Sequence, residues 1–232
     1  MSDTGDDDFM ARRDAARDRL DRLFGSKGGN ADDRRTWFEE VYDTAEGDPA
    51  AVPWADLKPK ETLLDWLSRN PGGGRRALDI ACGLGDNAQA LADAGYSTTA
   101  FDLAQGAVDW AKARFANSPV EFSQADLFSP PADWQGAFDL VHECYTVQAL
   151  HGELREKSYA AISGFVKPGG TLLVISRSRG EGEEASGPPW PLMPSEFARF
   201  EKEGLRLVGE NSYEVERTGR IIPHVIAEYR RD

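Results

Sequence analysis

Hydrophobic and polar positions change period near residue 76. From there, short apolar runs at Arg76–Ala81, Ser97–Phe101, Val120–Ser123, Phe138–His142 and Thr171–Ser176 read as strands. Between them lie stretches of helical spacing. One is Asp86–Ala94, ended by Gly95; a second carries Ala107, Val108, Ala111 and Phe115; a third carries Leu154, Tyr159, Ile162 and Phe165. This alternation predicts βαβ units and a parallel sheet. The near-continuous apolar run Thr171–Ser176 predicts burial on both faces, and Lys167-Pro168-Gly169-Gly170 the turn into it. Gly204–Arg230 predicts two more strands around an exposed polar hairpin.

Upstream the pattern is different. Residues 1–30 read as an acidic tail, a charged helix over Phe9–Phe24 with only a thin apolar stripe, and a flexible joint at Gly25–Asn30. In residues 31–70 a better amphipathic helix puts Trp37, Phe38, Val41 and Tyr42 on one face. A loop through Pro53-Trp54 follows, then a helix over Glu61–Ser68 that Pro71-Gly72-Gly73-Gly74 ends. The expected architecture is α/β, a Rossmann-like seven-stranded, mostly parallel sheet with helices on both faces and an N-terminal helical lid. Residues 31–232 then form a single domain, with 31–70 the lid and 71–232 the core.

The stretch with most chemistry is Ala77-Leu78-Asp79-Ile80-Ala81-Cys82-Gly83-Leu84-Gly85-Asp86, an apolar strand running through an acid into a glycine turn that opens a helix. That is the form of a nucleotide-binding βα turn, and Gly83, Gly85 and Ala88 satisfy the dinucleotide spacing. Asp79 and Asp86, however, stand where a pyrophosphate would lie. Like charges ~4 Å apart cost on the order of 4 kcal/mol at an effective dielectric of ~20, and no Lys or Arg occurs between Ala77 and Asp109. The turn therefore favours a ligand with cationic groups, such as the ammonium and sulfonium of S-adenosylmethionine.

Ligands of open α/β sheets lie outside the carboxyl ends of the strands. Asp102, at the end of the second strand, can accept both ribose hydroxyl protons or simply cap the next helix. Asp126, after the third, can accept from an adenine amino group, with Leu127 and Phe128 beside the ring. After the fourth strand, Glu143 can hold the methionine ammonium or act as a base, while Cys144 and Tyr145 shape the acceptor pocket. Cys144 also reads as a small buried side chain, His142 as a core residue and His151 as a helix-start or surface histidine. Trp37, Trp54, Tyr145 and Trp190 can build an aromatic pocket over a reacting sulfur, or anchor the N-terminal helix and a loop.

The ordered set Asp79–Gly85, Asp102, Ala125-Asp126, Phe138-Asp139-Leu140-Val141 and Lys167-Pro168-Gly169-Gly170 resembles the class I S-adenosylmethionine-dependent methyltransferases over about residues 60–230. The Trp37 helix leading to Pro53-Trp54, the segment Phe138–Leu150 and Gly187-Pro188-Pro189 resemble the thiopurine and thiol/halide methyltransferase group within it. The resemblance implies that Trp37, Trp54, Ala81, Asp102, Asp126 and Cys144 contact the cofactor. With the turn and its neighbours, the candidate cofactor contacts become Trp37, Trp54, Asp79, Ala81, Cys82, Gly83, Gly85, Asp102, Leu103, Asp126, Leu127, Glu143 and Cys144. Glu143 and Tyr145 are the candidate catalytic residues. Cys144 departs from the group's pattern, which commonly has an arginine or tyrosine near the acceptor. Glu143-Cys144-Tyr145 also differs from the Asn/Asp-Pro-Pro-aromatic pattern of nucleic-acid amino methyltransferases.

Composition narrows the remainder. A formal charge of -13 argues against phosphate-backbone binding, so nucleic acid is not an expected partner. No run of ~18 uncharged apolar residues occurs, which predicts no membrane partner and a cytoplasmic protein. Cys82 and Cys144, the only cysteines, form neither a disulfide framework nor a metal-site spacing. The expectation is methyl transfer from S-adenosylmethionine, leaving S-adenosylhomocysteine, to a small molecule, best a thiol or other soft nucleophile, by a monomer or weak dimer. The alternatives are an O- or N-methyltransferase of a small metabolite, a NAD(P)-dependent oxidoreductase and a non-catalytic cofactor-binding sensor.

Overall fold

The computed structural model describes residues 8–13, 15–16, 31–185, 187–217 and 219–232, without the side chains of residues 31–35. Residues 8–13 and 15–16 are helical; the rest of the helix expected over Phe9–Phe24, the tail before it and the glycine joint after it lie outside the described residues.

The helix over Ala31–Thr44 (α1) is followed by a 3-10 turn at Pro49–Ala51 and by α2, Glu61–Arg69. The core then runs β1 (Arg76–Ile80), α3 (Asp86–Asp93), β2 (Ser97–Asp102), α4 (Gln105–Arg114), β3 (Glu121–Gln124), β4 (Phe138–Cys144), α5 (Gly152–Gly164) and β5 (Val166–Arg177). Two one-turn helices, α6 (Pro194–Phe197) and α7 (Arg199–Lys202), precede β6 (Leu205–Arg217) and β7 (Arg220–Arg231). One seven-stranded sheet results, in the order β3-β2-β1-β4-β5-β7-β6. β1 to β5 pair in parallel, and β7 enters antiparallel between β5 and β6.

Strand alternation builds a core on each side of this sheet. Leu172 and Val174 of β5 join Leu78, Phe138, Tyr159 and Ile162 on one face. Leu173 and Ile175 join Leu63, Trp66, Leu67 and Leu91 on the other. All four β5 residues are fully buried, as a strand covered on both faces must be. The turn at Lys167–Gly170 is a bulge inside β5. Phe138 pairs with Val166, whereas Leu140 pairs with Thr171, so the extra residues loop out between two ladder pairs. The helices α6 and α7 are four residues each, too short for a periodic pattern to announce them.

Gly85 turns the chain from β1 into α3 at φ +89°. A Cβ there would come 3.0 Å from a Phe122 ring carbon and 3.1 Å from the Ala111 methyl, so only glycine lets α3 sit this close to β3 and α4. At the same end of the sheet, α1 and the Pro53-Trp54 loop pack against the turn between β1 and α3 through Val41, Tyr42, Val52, Leu84, Ala104 and Ala107.

Candidate active site

A cavity of about 300 Å³ opens at the carboxyl ends of the strands. Its floor is Ala81–Leu84, one wall Asp102, Leu103 and Ala125–Phe128, and the opposite wall Cys144–Thr146, with Trp37, Phe38, Tyr42 and Trp54 over it. Predicted contacts Trp37, Trp54, Ala81, Cys82, Gly83, Asp102, Leu103, Asp126, Leu127, Cys144 and Tyr145 all line it.

Asp102 is the best-defined group. Its Oδ2 accepts the Gly83 N–H at 2.9 Å and its Oδ1 the Ala104 N–H at 3.0 Å, so it pins the glycine turn and the approach to α4, whose N-cap is Ala104 and not Asp102. A carboxylate has about four acceptor directions, which leaves two for a ligand. Burial raises its pKa, against the backbone N–H bonds that favour its charge. Asp126 Oδ1 accepts the Phe128 N–H at 2.9 Å, shaping the loop after β3. Tyr42 accepts the Trp54 Nε1–H at 2.8 Å, tying α1 to the Pro53-Trp54 loop above Gly83.

Three candidates fall outside the lining. Asp79 is 2% exposed beneath the turn, its Oδ1 2.6 Å from His142 Nδ1. It buttresses β1 against β4 through that oxygen, while its Oδ2 has no hydrogen-bond partner among the described residues. Gly85 serves the packing described above. Glu143 is fully buried, and its Oε1 accepts the N–H groups of Thr146 at 2.6 Å and Val147 at 3.0 Å. It folds the turn after β4, and burial pushes its pKa up to about 7. Its Oε2 has no hydrogen-bond partner among the described residues, and the side chain stands outside the cavity lining in which both roles expected of it would place it. The electrostatic reading of the glycine turn also changes. Asp86 does line the cavity, but Arg114 from the end of α4 grips it with two bonds of 2.7 and 2.8 Å. Asp102 and Asp126 line the cavity as well. Trp190 is outside the lining and packs on His151, ring centroids 4.7 Å apart.

The wall beyond Cys144 holds residues that no local motif announces. Lys58 and Lys60 come from the segment before α2, Arg177 from the end of β5 and Arg217 from the end of β6. Asp56 ties Arg13, Lys60 and Arg217 together, the last at 2.9 Å; these cations outweigh burial and hold its pKa well below the carboxylate range. Tyr145, at φ +69°, lies under Lys60 Nζ, 4.4 Å from its ring centroid, and burial raises its pKa. Its hydroxyl lies 2.8 Å from His224 Nε2. Burial likewise raises the Cys144 thiol far above its ordinary pKa, so it is no thiolate nucleophile. Among the described residues no cluster of three His, Cys, Asp or Glu side chains is placed to hold a metal ion. No described helix is long and apolar enough to cross a membrane.

Residues 77–170, from β1 to the bulge in β5, match the family described as a methyltransferase domain. This stretch is a class I, S-adenosylmethionine-dependent methyltransferase domain. The methyltransferase domain has relatives of several acceptor types. Over 119 residues the chain is 33% identical to a ubiquinone biosynthesis O-methyltransferase of Aromatoleum aromaticum, covering 50% of each chain. Over 155 residues it is 25% identical to a probable thiol methyltransferase 2 of Arabidopsis thaliana, covering 64% of this chain and 66% of that one. The chain thus spans from half to two-thirds of the length of these curated relatives. The N-methyltransferase NodS of Bradyrhizobium japonicum, solved with S-adenosylhomocysteine, shares the fold at a TM-score of 0.64 and 20% identity, over 82% of this chain and 98% of that one.

Proposed function

We propose that this protein transfers the methyl group of S-adenosylmethionine to a small-molecule acceptor, with a thiol or other soft nucleophile the preferred class. The carrying observation is Asp102, a buried carboxylate that lines the cavity, already holds the Gly83 and Ala104 amides and keeps two acceptor directions for ribose hydroxyls. When bound, the donor supplies an electrophilic methyl on a sulfonium. The protein has only to orient the two partners, exclude water and reduce the entropy cost of their meeting.

Each part of the cavity has a share in that. Asp126 and Leu127 serve the adenine end. The Ala81–Gly83 floor carries the methionine end toward Cys144 and Tyr145, and Trp37, Phe38 and Trp54 close the mouth with polarisable faces that favour a sulfonium. Residues 31–70 act as the lid of a single unit with the sheet. Against a dinucleotide reading, the turn amides a pyrophosphate needs are spent: Gly83 N–H on Asp102 and Gly85 N–H on the Cys82 carbonyl at 2.9 Å. The relatives named for O-, N- and thiol methylation leave the acceptor atom to the cavity's own chemistry.

The test has two parts. Calorimetry with S-adenosylhomocysteine and with NADH should give binding for the first alone. S-adenosylhomocysteine release is then measured over thiols, hydrosulfide, halides, phenols and small amines. NADH binding with S-adenosylhomocysteine excluded would refute the proposal.

A further inference from the structure

His224, on β7, sits immediately behind Tyr145 and belongs to no motif. Its Nδ1 lies 2.8 Å from the Ile222 carbonyl, which can only accept, so Nδ1 carries the proton. Nε2 is then an acceptor, and the hydroxyl 2.8 Å away donates to it. Tyr213 stacks on the other side of the imidazole, ring centroids 5.3 Å apart and planes 27° from parallel, which fixes the ring. Tyr145 adopts a left-handed φ of +69°, a strained conformation for a non-glycine residue that concentrates at functional sites. The hydroxyl proton of Tyr145 is committed to His224. Its oxygen, on a residue that lines the cavity, retains lone pairs for a donor.

We propose that Tyr145 and His224 form a proton relay for an acceptor that arrives protonated, an S–H or O–H nucleophile, which excludes halides as the natural acceptor. This rests on the methyltransferase reading above. As the acceptor atom bonds to the methyl carbon, the carbon–sulfur pair returns to the donor's sulfur. The acceptor's proton passes to the Tyr145 oxygen, and Tyr145's own proton passes to His224 Nε2. The products are S-adenosylhomocysteine, the methylated acceptor and an imidazolium that releases its proton to solvent. Tyr145 is the catalytic group, and His224 acts through it as the positioning residue.

The surrounding charges suit such a step. Burial, then Arg177 of β5, Lys60 and Arg217 of β6, hold the His224 pKa down to about 4 against its bond to Ile222, while Tyr213 stacks on the imidazole and Asp56 acts on Tyr145 in front of it. A base this weak leaves a resting thiol or phenol protonated. It suffices once the methyl arrives, because the proton on a sulfonium or oxonium product is strongly acidic. Amines need no such base, since their methylated products hold the proton at neutral pH.

Two measurements decide the matter. The first records imidazole ¹⁵N shifts of wild type and Tyr145→Phe without ligand. The expected result is an Nδ1–H tautomer whose Nε2 shift moves when the hydroxyl is removed; an unchanged Nε2 shift overturns the relay. The second measures kcat and KM of wild type, His224→Gln and His224→Phe over acceptors of graded acidity. The Phe variant should lose about 10²-fold in kcat on weakly acidic acceptors, within the usual range for general acid–base groups, with little loss on the most acidic ones and unchanged S-adenosylhomocysteine affinity. The Gln variant, which keeps an acceptor atom, should recover part of the loss. An equal loss across all acceptors assigns His224 a structural role and overturns the proposal. Failure of wild type to bind S-adenosylhomocysteine would instead refute the methyltransferase reading, and the ¹⁵N result would still report on the pair.

Discussion

Asp102→Asn isolates the group on which donor binding depends. In the wild type the two oxygens each hold one backbone amide, Gly83 N–H and Ala104 N–H, and share their remaining lone pairs with the cavity. The amide has a single acceptor oxygen, so its NH2 must face one of those two N–H groups, donor against donor. A buried donor left without a partner costs about 1–3 kcal/mol, which lowers stability at a residue only 8% exposed. The ligand loses separately. Hydrogen bonds to a charged acceptor contribute about 1.5–3 kcal/mol each, so weakening one or two ribose bonds should raise the S-adenosylhomocysteine Kd about 10- to 100-fold, at about 1.4 kcal/mol per tenfold. Circular dichroism first establishes the temperature at which the variant is folded, and isothermal calorimetry there gives its Kd beside wild type. A folded variant whose Kd stays within twofold would falsify the ribose assignment and leave Asp102 as a group that only holds the turn amides.

Glu143→Gln tests the buried carboxyl at β4. A native pKa of about 7, above its ordinary 4.5, means that the folded state keeps a proton the unfolded state has lost, so stability falls as pH rises from about 4.5 to 7. That shift corresponds to about 3 kcal/mol. Gln keeps the oxygen that serves Thr146 and Val147, so denaturant melts should show the variant losing this slope and gaining on wild type at pH 8; parallel pH profiles would count against it. His224 carries the opposite sign: a native pKa of about 4 against 6.5 predicts stability lost as pH falls from about 6.5 to 4, absent in His224→Phe. Gly85→Ala adds a left-handed Cβ and a contact near 3 Å, and should cost about 2 kcal/mol and lower Tm by several degrees. Asp56→Ala removes the carboxylate shared by Arg13, Lys60 and Arg217 and should destabilise by about 3 kcal/mol, read by urea titration at low salt, whereas an unchanged midpoint would mark the cluster as solvated.

The fold was legible because its signals are local. The glycine turn, the caps and the switch between periods of 2 and 3.6 are each set by a few consecutive residues, and β1 to β5 lie within two residues of where those patterns end, apart from the early start of β5. The far wall of the cavity was not legible. Arg217 lines it and His224 stands behind Tyr145 because β7 inserts between β5 and β6, and strand order is decided by which faces bury best, not by any spacing along the chain. Arg114 is hidden for a related reason: it lies five residues beyond the run Ala77–Asp109 that holds no Lys or Arg, and the packing of α4 beside the glycine turn brings it to Asp86.

Register explains why two of the candidate acids stand outside the cavity lining. Side chains alternate across a sheet, and a residue clears the helix layers at the carboxyl edge only at the last ladder pair or beyond it. Asp102 occupies the last pair of β2 with β3, opposite Gln124, and Asp126 lies past β3. Cys144 is in the last pair of β4 with β5, opposite Ile175, and Tyr145 follows it. All four line the cavity. Asp79 stands one pair inside, opposite His142, and Glu143 one pair inside the ladder with β5, opposite Val174, although it ends the ladder with β1; each has one oxygen in an internal bond. A one-residue difference along β5's ladder thus separates Glu143, outside the lining, from Cys144, within it. The same rule reaches the residue that sequence reading overlooked: His224 is the partner of Arg177 in the last pair between β5 and β7, which sets it at the height of Tyr145 and within reach of its hydroxyl.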